Sequence, residues 1–468
     1  MTELKSNKVY QAICYIQNLI KDTPWDGHIF AVGGCVRDIS LGEEPKDLDI
    51  VVDKEHGGVA FATWITNRTQ CHVTGSNPVI FPKYGTAKFN FRNSDELKDL
   101  DIECVATRKE QYHSDSRNPK VEFGTIEEDA KRRDLTINAL YLNISNGDIL
   151  DFNGYGAEDL EKHIIRTPDD ADIIFSDDPL RQLRVIRFAT RYGWGIEKNT
   201  WLGVVKNAYR MEIISQERIT DELNKILVCK TPSKGIRALY HSGLLKMVLP
   251  EVYDLIGMNQ GKEHFGDVFE HTMAVLDNTQ PILENRLAAL FHDIGKLRCR
   301  SYGMNGDCHF YGHEDVGATM VEDIMRRMKY PNATINAVKC AVKNHMKFKH
   351  AAVPSSRSIR KLVANVGEHL ELVLDVINAD NNSHAKAYCM PYQIKDIRKR
   401  IEELKKKEEA PSKIVLPING HDVMEALNLH KSPKVGRYLN AIKEAYMDNP
   451  KITKEECLEM LKTVTIED

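Results

Sequence analysis

The sequence predicts a mixed β-sheet head with covering helices, followed by domains that are mainly α-helical. Three observations lead there. Up to about residue 150, short apolar runs alternate with glycine-containing turns. Beyond residue 155, apolar residues recur at three- and four-residue spacing almost throughout. The 468 residues are 42% hydrophobic and 28% charged, ordinary for a folded chain and too apolar for a disordered one. At about 100–200 residues per domain, that length has room for two to four.

Composition excludes several classes. No apolar run approaches the length of a membrane span, about 20 residues, so no membrane partner is expected. The opening MTELKSNKVYQAICYIQNLI predicts an amphipathic helix and lacks the apolar core of a signal peptide. Ten scattered cysteines without a CxxC pair suit reduced thiols and a cytoplasmic location rather than a disulfide scaffold. A formal net charge of −4 confines any nucleic-acid surface to a local basic patch. Oligomeric state is not legible.

Taken in order, HIFAVGG (28–34), LDIVV (48–52), HVTGSNPVIF (72–81), LDIECVA (100–106) and INALYLNI (137–144) predict strands. DPLRQLRVIRFATRYG predicts a helix starting near Pro179 and ending near Gly193. SQERITDELNKIL and PSKGIRALYHSGLLKMV continue the helical pattern, and histidines become dense from about residue 261. The charged run 395–413 predicts an exposed helix with a solvated face, then a Pro/Ser break. The layout is a head (1–150), a helical neck (151–260), a His-rich helical domain (261–400) and a helical tail (401–468).

AVGGCVRDISLGEEPKDLDIVV carries the first chemistry. Gly33 and Gly34 let the backbone approach a ligand, and the helix they open offers N-terminal amides to a phosphate. Arg37 on that helix would face the same anion. Asp47 and Asp49 share one face of a strand. Paired carboxylates are costly without a cation, and Mg²⁺ favours carboxylate oxygens plus substrate phosphates. Such metals clamp the oxygens of an in-line displacement. Glu103 in LDIECVATR is the third acid; Asp101 is its competitor, sharing that facing only at the strand's edge.

These stretches carry a resemblance. GGCVRD, KDLDIVV, KRRDLTINALYL, DFNGYGAEDLEKHIIRTP, SDDPLRQLRVIRF and SQERITDELNKIL occur in the order found in class II tRNA nucleotidyltransferases. These are the CCA-adding enzymes, related to bacterial poly(A) polymerases. The match is strong over residues 25–260, and PINGHDVMEALNL with VGRYLNAIKEA resembles the tail of the same bacterial group.

The resemblance implies that Asp47 and Asp49 hold Mg²⁺ while Glu103 activates an RNA 3′-hydroxyl. Gly33, Gly34, Arg37, Arg132 and Arg133 would meet the triphosphate. Asp134 would accept the ribose 2′-OH, as an acceptor-only carboxylate can. Asp178, Arg181, Arg184 and Arg187, spaced by three on one predicted helix, would bind the nucleotide, and Asp178 and Arg181 resemble the protein template that reads the base edges of CTP and ATP. The family usually has Glu-Asp where this chain has Asp177-Asp178, which leaves Asp177 without a clear role. Arg108, Lys109, Tyr112, Ser116 and Arg117 resemble the loop after the third acid, which positions primer or triphosphate. The neck and tail would hold tRNA by phosphate and shape.

A second set, His271, His292, Asp293 and Asp380, resembles the H…HD…D pattern of HD phosphohydrolases. Imidazole and carboxylate together suit a divalent transition metal or Mg²⁺. Lys296, one turn past His292, would meet a phosphate. His313 and His345 stand in the order of a second-metal pair. His264, His309 and His350 are expected to be structural or on the surface. Related bacterial enzymes link this domain to 2′,3′-cyclic phosphodiesterase, 2′-nucleotidase and phosphatase chemistry. The resemblance thus implies CCA addition with an appended hydrolase. Its variants are A-adding or CC-adding enzymes or a poly(A) polymerase. Another class would be an HD hydrolase with an inactive RNA-binding head.

Overall fold

In the computed structural model, the apolar runs of the head pair into one seven-stranded sheet. The structure describes residues 7–69, 77–82, 85–113, 116–260, 266–305, 307–348, 354–387, 389–406, 416–449 and 451–464, without the side chains of 110–121. The strands of the head are β1 (Ile29–Val32), β2 (Leu48–Val52), β3 (Val79–Phe81), β4 (Thr86–Phe89), β5 (Ile102–Ala106), β6 (Arg108–His113), β7 (Ser116–Phe123), β8 (Tyr141–Asn143) and β9 (Ile149–Leu150). The sheet runs β3-β4-β5-β2-β1-β8-β9.

Only β2 and β5 are parallel among these neighbours. A parallel pair needs a crossover, which begins with the helix Gly57–Arg68. Gly58 lets this helix touch the sheet: a Cβ there would stand 2.7 Å from the Val105 backbone. Strands β1 and β2 are buried at every position except Asp49. Unbroken apolar runs of this kind suit central strands covered on both faces. The N-terminal helix Lys8–Ile20 turns Val9, Ala12, Ile13, Ile16 and Ile20 inward.

The structure corrects the sequence reading in three places. The 137–144 strand is shorter, because Thr136–Asn138 forms a 3₁₀ turn and only Tyr141–Asn143 is extended. The expected loop after Glu103 is an antiparallel hairpin, β6 with β7; its charged sequence has no apolar alternation to signal a strand. Residues 72–76 of the third predicted strand lie outside the described residues, and β4 had no matching expectation.

Two compact units make up the chain, Met1–Pro250 and Glu251–Asp468. In the first, the neck helix Leu180–Tyr192 starts after Pro179 and stops at Gly193, whose φ of 71° is left-handed. It packs with the helices Gln216–Leu227 and Pro232–His241. In the second, the helices Val268–Asn278, Leu283–Phe291, His313–Arg327, Asn332–Asn344 and Leu370–Asn382 pack together. A small tail core gathers Ile418, Val423, Val435, Ile442, Cys457 and Leu461. Residues 395–406 of the charged run lie in the helix Gln393–Lys406, which buries Ile394, Ile397, Ile401 and Leu404 and is therefore solvated on one side only; the Pro/Ser break lies outside the described residues. Among the described residues no helix is long and apolar enough to cross a membrane.

Candidate active sites

In the first unit the acids meet across strands. Asp49 and Glu103 are register partners in the parallel β2–β5 pair, with Val32 opposite Asp49 on β1. Asp47 lies exposed just before β2, and Asp101 lies just before β5. Glu103, inside its strand, is the acid that the register brings to Asp49. It also takes Lys88 Nζ at 3.2 Å from the neighbouring strand. Lys88 escaped the sequence reading because β4 did.

Asp49 is open to solvent at its tip. Even so, the packed strands around its base, and then Glu103, push its carboxyl up against the pull of Arg133. That repulsion and the all-oxygen donor set fit a hard divalent cation. Gly33 turns the chain from β1 into the helix Gly34–Ser40 with φ of 75°. A Cβ there would stand 3.8 Å from both Asp49 Oδ2 and Arg133 Nη1, so the glycine backbone lies beside acid and arginine at once.

The arginines are held more tightly than the sequence suggests. Arg132 and Arg133 both pair with the fully buried Asp129, and Arg133 also donates to Tyr141 Oη at 2.9 Å. Burial alone would raise Asp129, but Arg133, Arg132 and the Tyr141 hydroxyl hold it at about 2. Arg132 Nε reaches the carbonyl of Arg108 at 3.1 Å, and Lys109 pairs with Glu128 at 2.9 Å. The side chains of Tyr112, Ser116 and Arg117 lie outside the described residues.

Arg37 departs from its predicted exposure to an anion. It is 4% exposed, donates from Nη1 to Asn138 Oδ1 at 2.6 Å, and grips Asp38 with Nε and Nη2. Its guanidinium lies over Phe188 and Tyr192, and this aromatic cover is what draws it inward. Asn138 in turn donates to Asp134 at 3.1 Å, and Arg184 Nε donates to the same carboxylate at 2.7 Å. Burial would raise Asp134; Arg184 and Asn138 hold it at about 2. Beyond Arg184 lies the buried Glu222, which also takes Arg187 at 2.9 Å.

Asp178 does not sit on the predicted helix. It caps Ala171–Asp177 with an extended backbone, and Pro179 begins the turn into Leu180–Tyr192. Its Oδ1 accepts from the Leu180 amide at 3.2 Å and its Oδ2 from Arg218 at 2.7 Å. Arg181 is buried and donates to the Ile174 carbonyl at 3.3 Å. Asp177 ends its helix and is not free of partners. The structure therefore adds Asp129, Asn138, Arg218 and Glu222 to this site. Asn138, Arg218 and Glu222 stood inside motifs already quoted, but nothing in spacing alone marks a buried partner.

The second unit holds a buried cluster. Two triads, His271–His292–Asp293 and Asp293–His313–His345, each bring their donor atoms within 4.8 Å of one another. Asp293 is shared: Oδ2 lies 3.1 Å from His292 Nε2 and Oδ1 lies 3.2 Å from His313 Nε2. Asp380 Oδ1 lies 3.0 Å from His271 Nε2.

His292, His313 and His345 each direct Nδ1 at a carbonyl one turn upstream, at 2.8, 2.8 and 2.7 Å. That bond fixes the tautomer in which Nε2 offers its lone pair inward. Burial draws His345 down to about 4, so it is neutral near pH 7. Asp293 is held well below the usual range; burial opposes this and His292 and Lys296 outweigh it. This donor set fits a divalent transition metal or Mg²⁺.

Lys296 is buried on Asp293 at 2.7 Å and on Gln260 at 2.9 Å, rather than open to a phosphate. The short helix that starts at Lys296 turns its amine back on the carboxylate three residues earlier. His384, one turn past Asp380, stacks edge-on against His271 at 5.3 Å and was not anticipated. His309 is half-buried in a strand, while His264 and His350 lie outside the described residues.

Residues 29–166 match the family described as the poly A polymerase head domain. Residues 193–255 match "Probable RNA and SrmB- binding site of polymerase A", and residues 314–461 match tRNA nucleotidyltransferase domain 2. An A-adding tRNA nucleotidyltransferase of Deinococcus radiodurans is 31% identical over 337 residues, 68% of this chain and 75% of that protein. The chain belongs to the tRNA nucleotidyltransferase and poly(A) polymerase family. Another member, the CC-adding tRNA nucleotidyltransferase of Thermus thermophilus, is 29% identical over 93% of this chain and 92% of that one. The family fold extends over the full length: the Bacillus stearothermophilus CCA-adding enzyme in complex with CTP superposes with a TM-score of 0.65 at 22% identity, covering 97% of each chain.

Proposed function

We propose that this family member adds C, C and A to the 3′ end of tRNA from CTP and ATP without a nucleic-acid template. The observation that carries the reading is the register pair Asp49–Glu103 beside Gly33 and Arg133. Asp47 and Asp49 would hold Mg²⁺, which would supply charge neutralisation at the reacting phosphate. Glu103 takes the proton of the terminal RNA 3′-hydroxyl. The hydroxyl oxygen bonds to the α-phosphorus, and the bond to pyrophosphate breaks. Arg132 and Arg133 steady the triphosphate. Asp134 accepts the ribose 2′-OH. Asp178 and Arg181 offer an acceptor and donors to cytosine or adenine, whereas uracil and guanine present mismatched edges.

The second unit is proposed to be an HD-type phosphohydrolase. His271, His292, Asp293 and Asp380 would hold one divalent metal, which would supply Lewis acidity to a bound water, and His313 and His345 would complete a second site. Water adds to phosphorus, the ester P–O bond breaks, and the released oxygen takes the proton. A terminal 2′,3′-cyclic phosphate or phosphate monoester on RNA is the substrate class. We propose four domains: a head (1–150), a neck (151–260), an HD domain (261–400) and a tail (401–468). A cytoplasmic location fits the free cysteines, and a bacterial type fits the tail motifs PINGHDVMEALNL and VGRYLNAIKEA.

A partial activity is the second reading, because the relative aligned over 93% of the chain is a CC-adding enzyme. One experiment separates these. The protein is incubated with Mg²⁺, labelled CTP or ATP, and tRNAs ending before, within and after CCA. Stepwise C, C, A addition that then stops supports the reading. Addition of one base type, or a long A tail, replaces it with an A-adding, CC-adding or poly(A) activity. No incorporation leaves the hydrolase with an inactive head.

A further inference from the structure

One element leaves the wall of the buried histidine–aspartate centre and stands in solvent. It is the antiparallel hairpin of Ser301–Tyr302 with Cys308–His309. Both of its feet are tied to the centre. The first strand follows the helix Lys296–Cys299, whose Lys296 pairs with Asp293. The second runs into Phe310, whose carbonyl accepts from His313 Nδ1 at 2.8 Å and whose ring lies 5.4 Å from Lys296 Nζ. Gly295 fixes this arrangement, since a Cβ there would meet the His313 carbonyl oxygen at 2.0 Å.

Three large side chains of the hairpin and its flank stand in solvent among polar residues. Tyr302 is 62% exposed, Tyr311 79% and Met304 fully exposed. Arg300 lies over the Tyr302 ring at 5.0 Å, and His309 stacks on Tyr311 at 5.3 Å with the planes 16° apart. Arg298 and Arg300 are exposed beside them. Flat rings interleaved with guanidinium groups match single-stranded RNA, whose bases stack on aromatics while its phosphates meet cations. A docking site for protein would favour a contiguous apolar patch.

We propose that this hairpin is a base-stacking subsite for the 3′-terminal nucleotides of an RNA strand whose end phosphate reaches the Asp293 centre. The proposal rests on the hydrolase reading and adds what selects its substrate.

The test uses the full chain, loaded with divalent metal, and an oligoribonucleotide ending in a 2′,3′-cyclic phosphate. Two versions are compared, one with its terminal base and one abasic at that position. Tyr302→Ala/Tyr311→Ala is expected to raise KM for the base-bearing strand by about tenfold, with kcat within about twofold. The abasic strand should be little affected, and Tyr302→Phe/Tyr311→Phe should restore KM. A 4-thiouridine at the 3′ end should crosslink to residues 298–311, including in His292→Ala/Asp293→Ala.

Crosslinking there with no hydrolysis by the wild type overturns the hydrolase reading and keeps the subsite. Equal KM for both strands, or a crosslink confined to other peptides, overturns the subsite. So does a hairpin that only pairs two copies of this chain, seen as a Tyr302→Ala/Tyr311→Ala monomer with unchanged RNA kinetics.

Discussion

Arg184 donates to Asp134 through Nε at 2.7 Å, across fifty residues of sequence. A carboxylate proposed to sense ribose and a helix proposed to read bases are thus one hydrogen-bonded unit. Asp134→Ala should lower discrimination between CTP and dCTP by about tenfold, roughly the worth of one charged hydrogen bond. Arg184→Ala should lower it less, because Asn138 still orients the carboxylate. Competition of NTP against dNTP checks both. Unchanged selectivity in Asp134→Ala removes it from the sugar site.

Asp49→Asn and Asp47→Ala should each lower nucleotide addition by about two to three orders of magnitude, while tRNA binding by gel shift stays within about threefold. A chelator should silence addition, and added Mg²⁺ should restore it. Full addition by Asp49→Asn would end the metal assignment.

Arg181→Ala should weaken the preference for CTP and ATP over UTP and GTP more than it raises the KM for the correct nucleotide. Misincorporation on a tRNA lacking CCA measures this. A preference that survives intact sinks the template role. Because Arg181 also ties down the Ile174 carbonyl, Arg181→Lys separates reading from folding.

His292→Ala/Asp293→Ala should empty the centre of the second unit and spare addition by the first. Metal analysis of the purified protein should lose the one or two ions per chain held by the second unit, leaving only Mg²⁺ that Asp47→Ala/Asp49→Asn removes. Retained metal would place it elsewhere.

Two buried carboxylates predict the acid limb of stability in the first unit. Asp129 and Asp134 are held at about 2, below their ordinary value of 3.8. Depressed values stabilise the folded state above the ordinary carboxylate range, and that contribution is lost as pH falls toward 2. Each is worth about 2 kcal/mol. Urea unfolding between pH 5 and pH 2.5 should show the loss, with a flatter slope in Asp134→Asn. An identical slope would mean that Asp134 does not titrate abnormally.

The sequence was most legible where residues act through strand geometry. Gly33, Asp49 and Glu103 met across β1, β2 and β5 as alternation and spacing required. His271, His292 and Asp293 likewise converge, as do His313 and His345 on the same aspartate. What stayed hidden were the partners. Arg37 and Lys296 look like free cations in a linear motif, yet each is neutralised by a side chain folded against it. Asp129, Asn138 and Glu222 contribute only through such pairings, which periodicity does not encode. Asp178 left its helix because the ring of Pro179 disfavours helical backbone in the residue before it, and Asp178 is extended.

The chain of pairings from Asp38 through Arg37, Asn138, Asp134 and Arg184 to Glu222 has a kinetic consequence. Before substrate arrives, the groups proposed to grip a nucleotide already satisfy one another. On the proposed reading, a nucleotide would enter by exchange, each new bond replacing an internal one, and a poor match would leave the original pairing the stronger competitor. Selectivity in such a site is set by how readily a mismatched nucleotide is expelled, which shows as fast dissociation rather than slow entry.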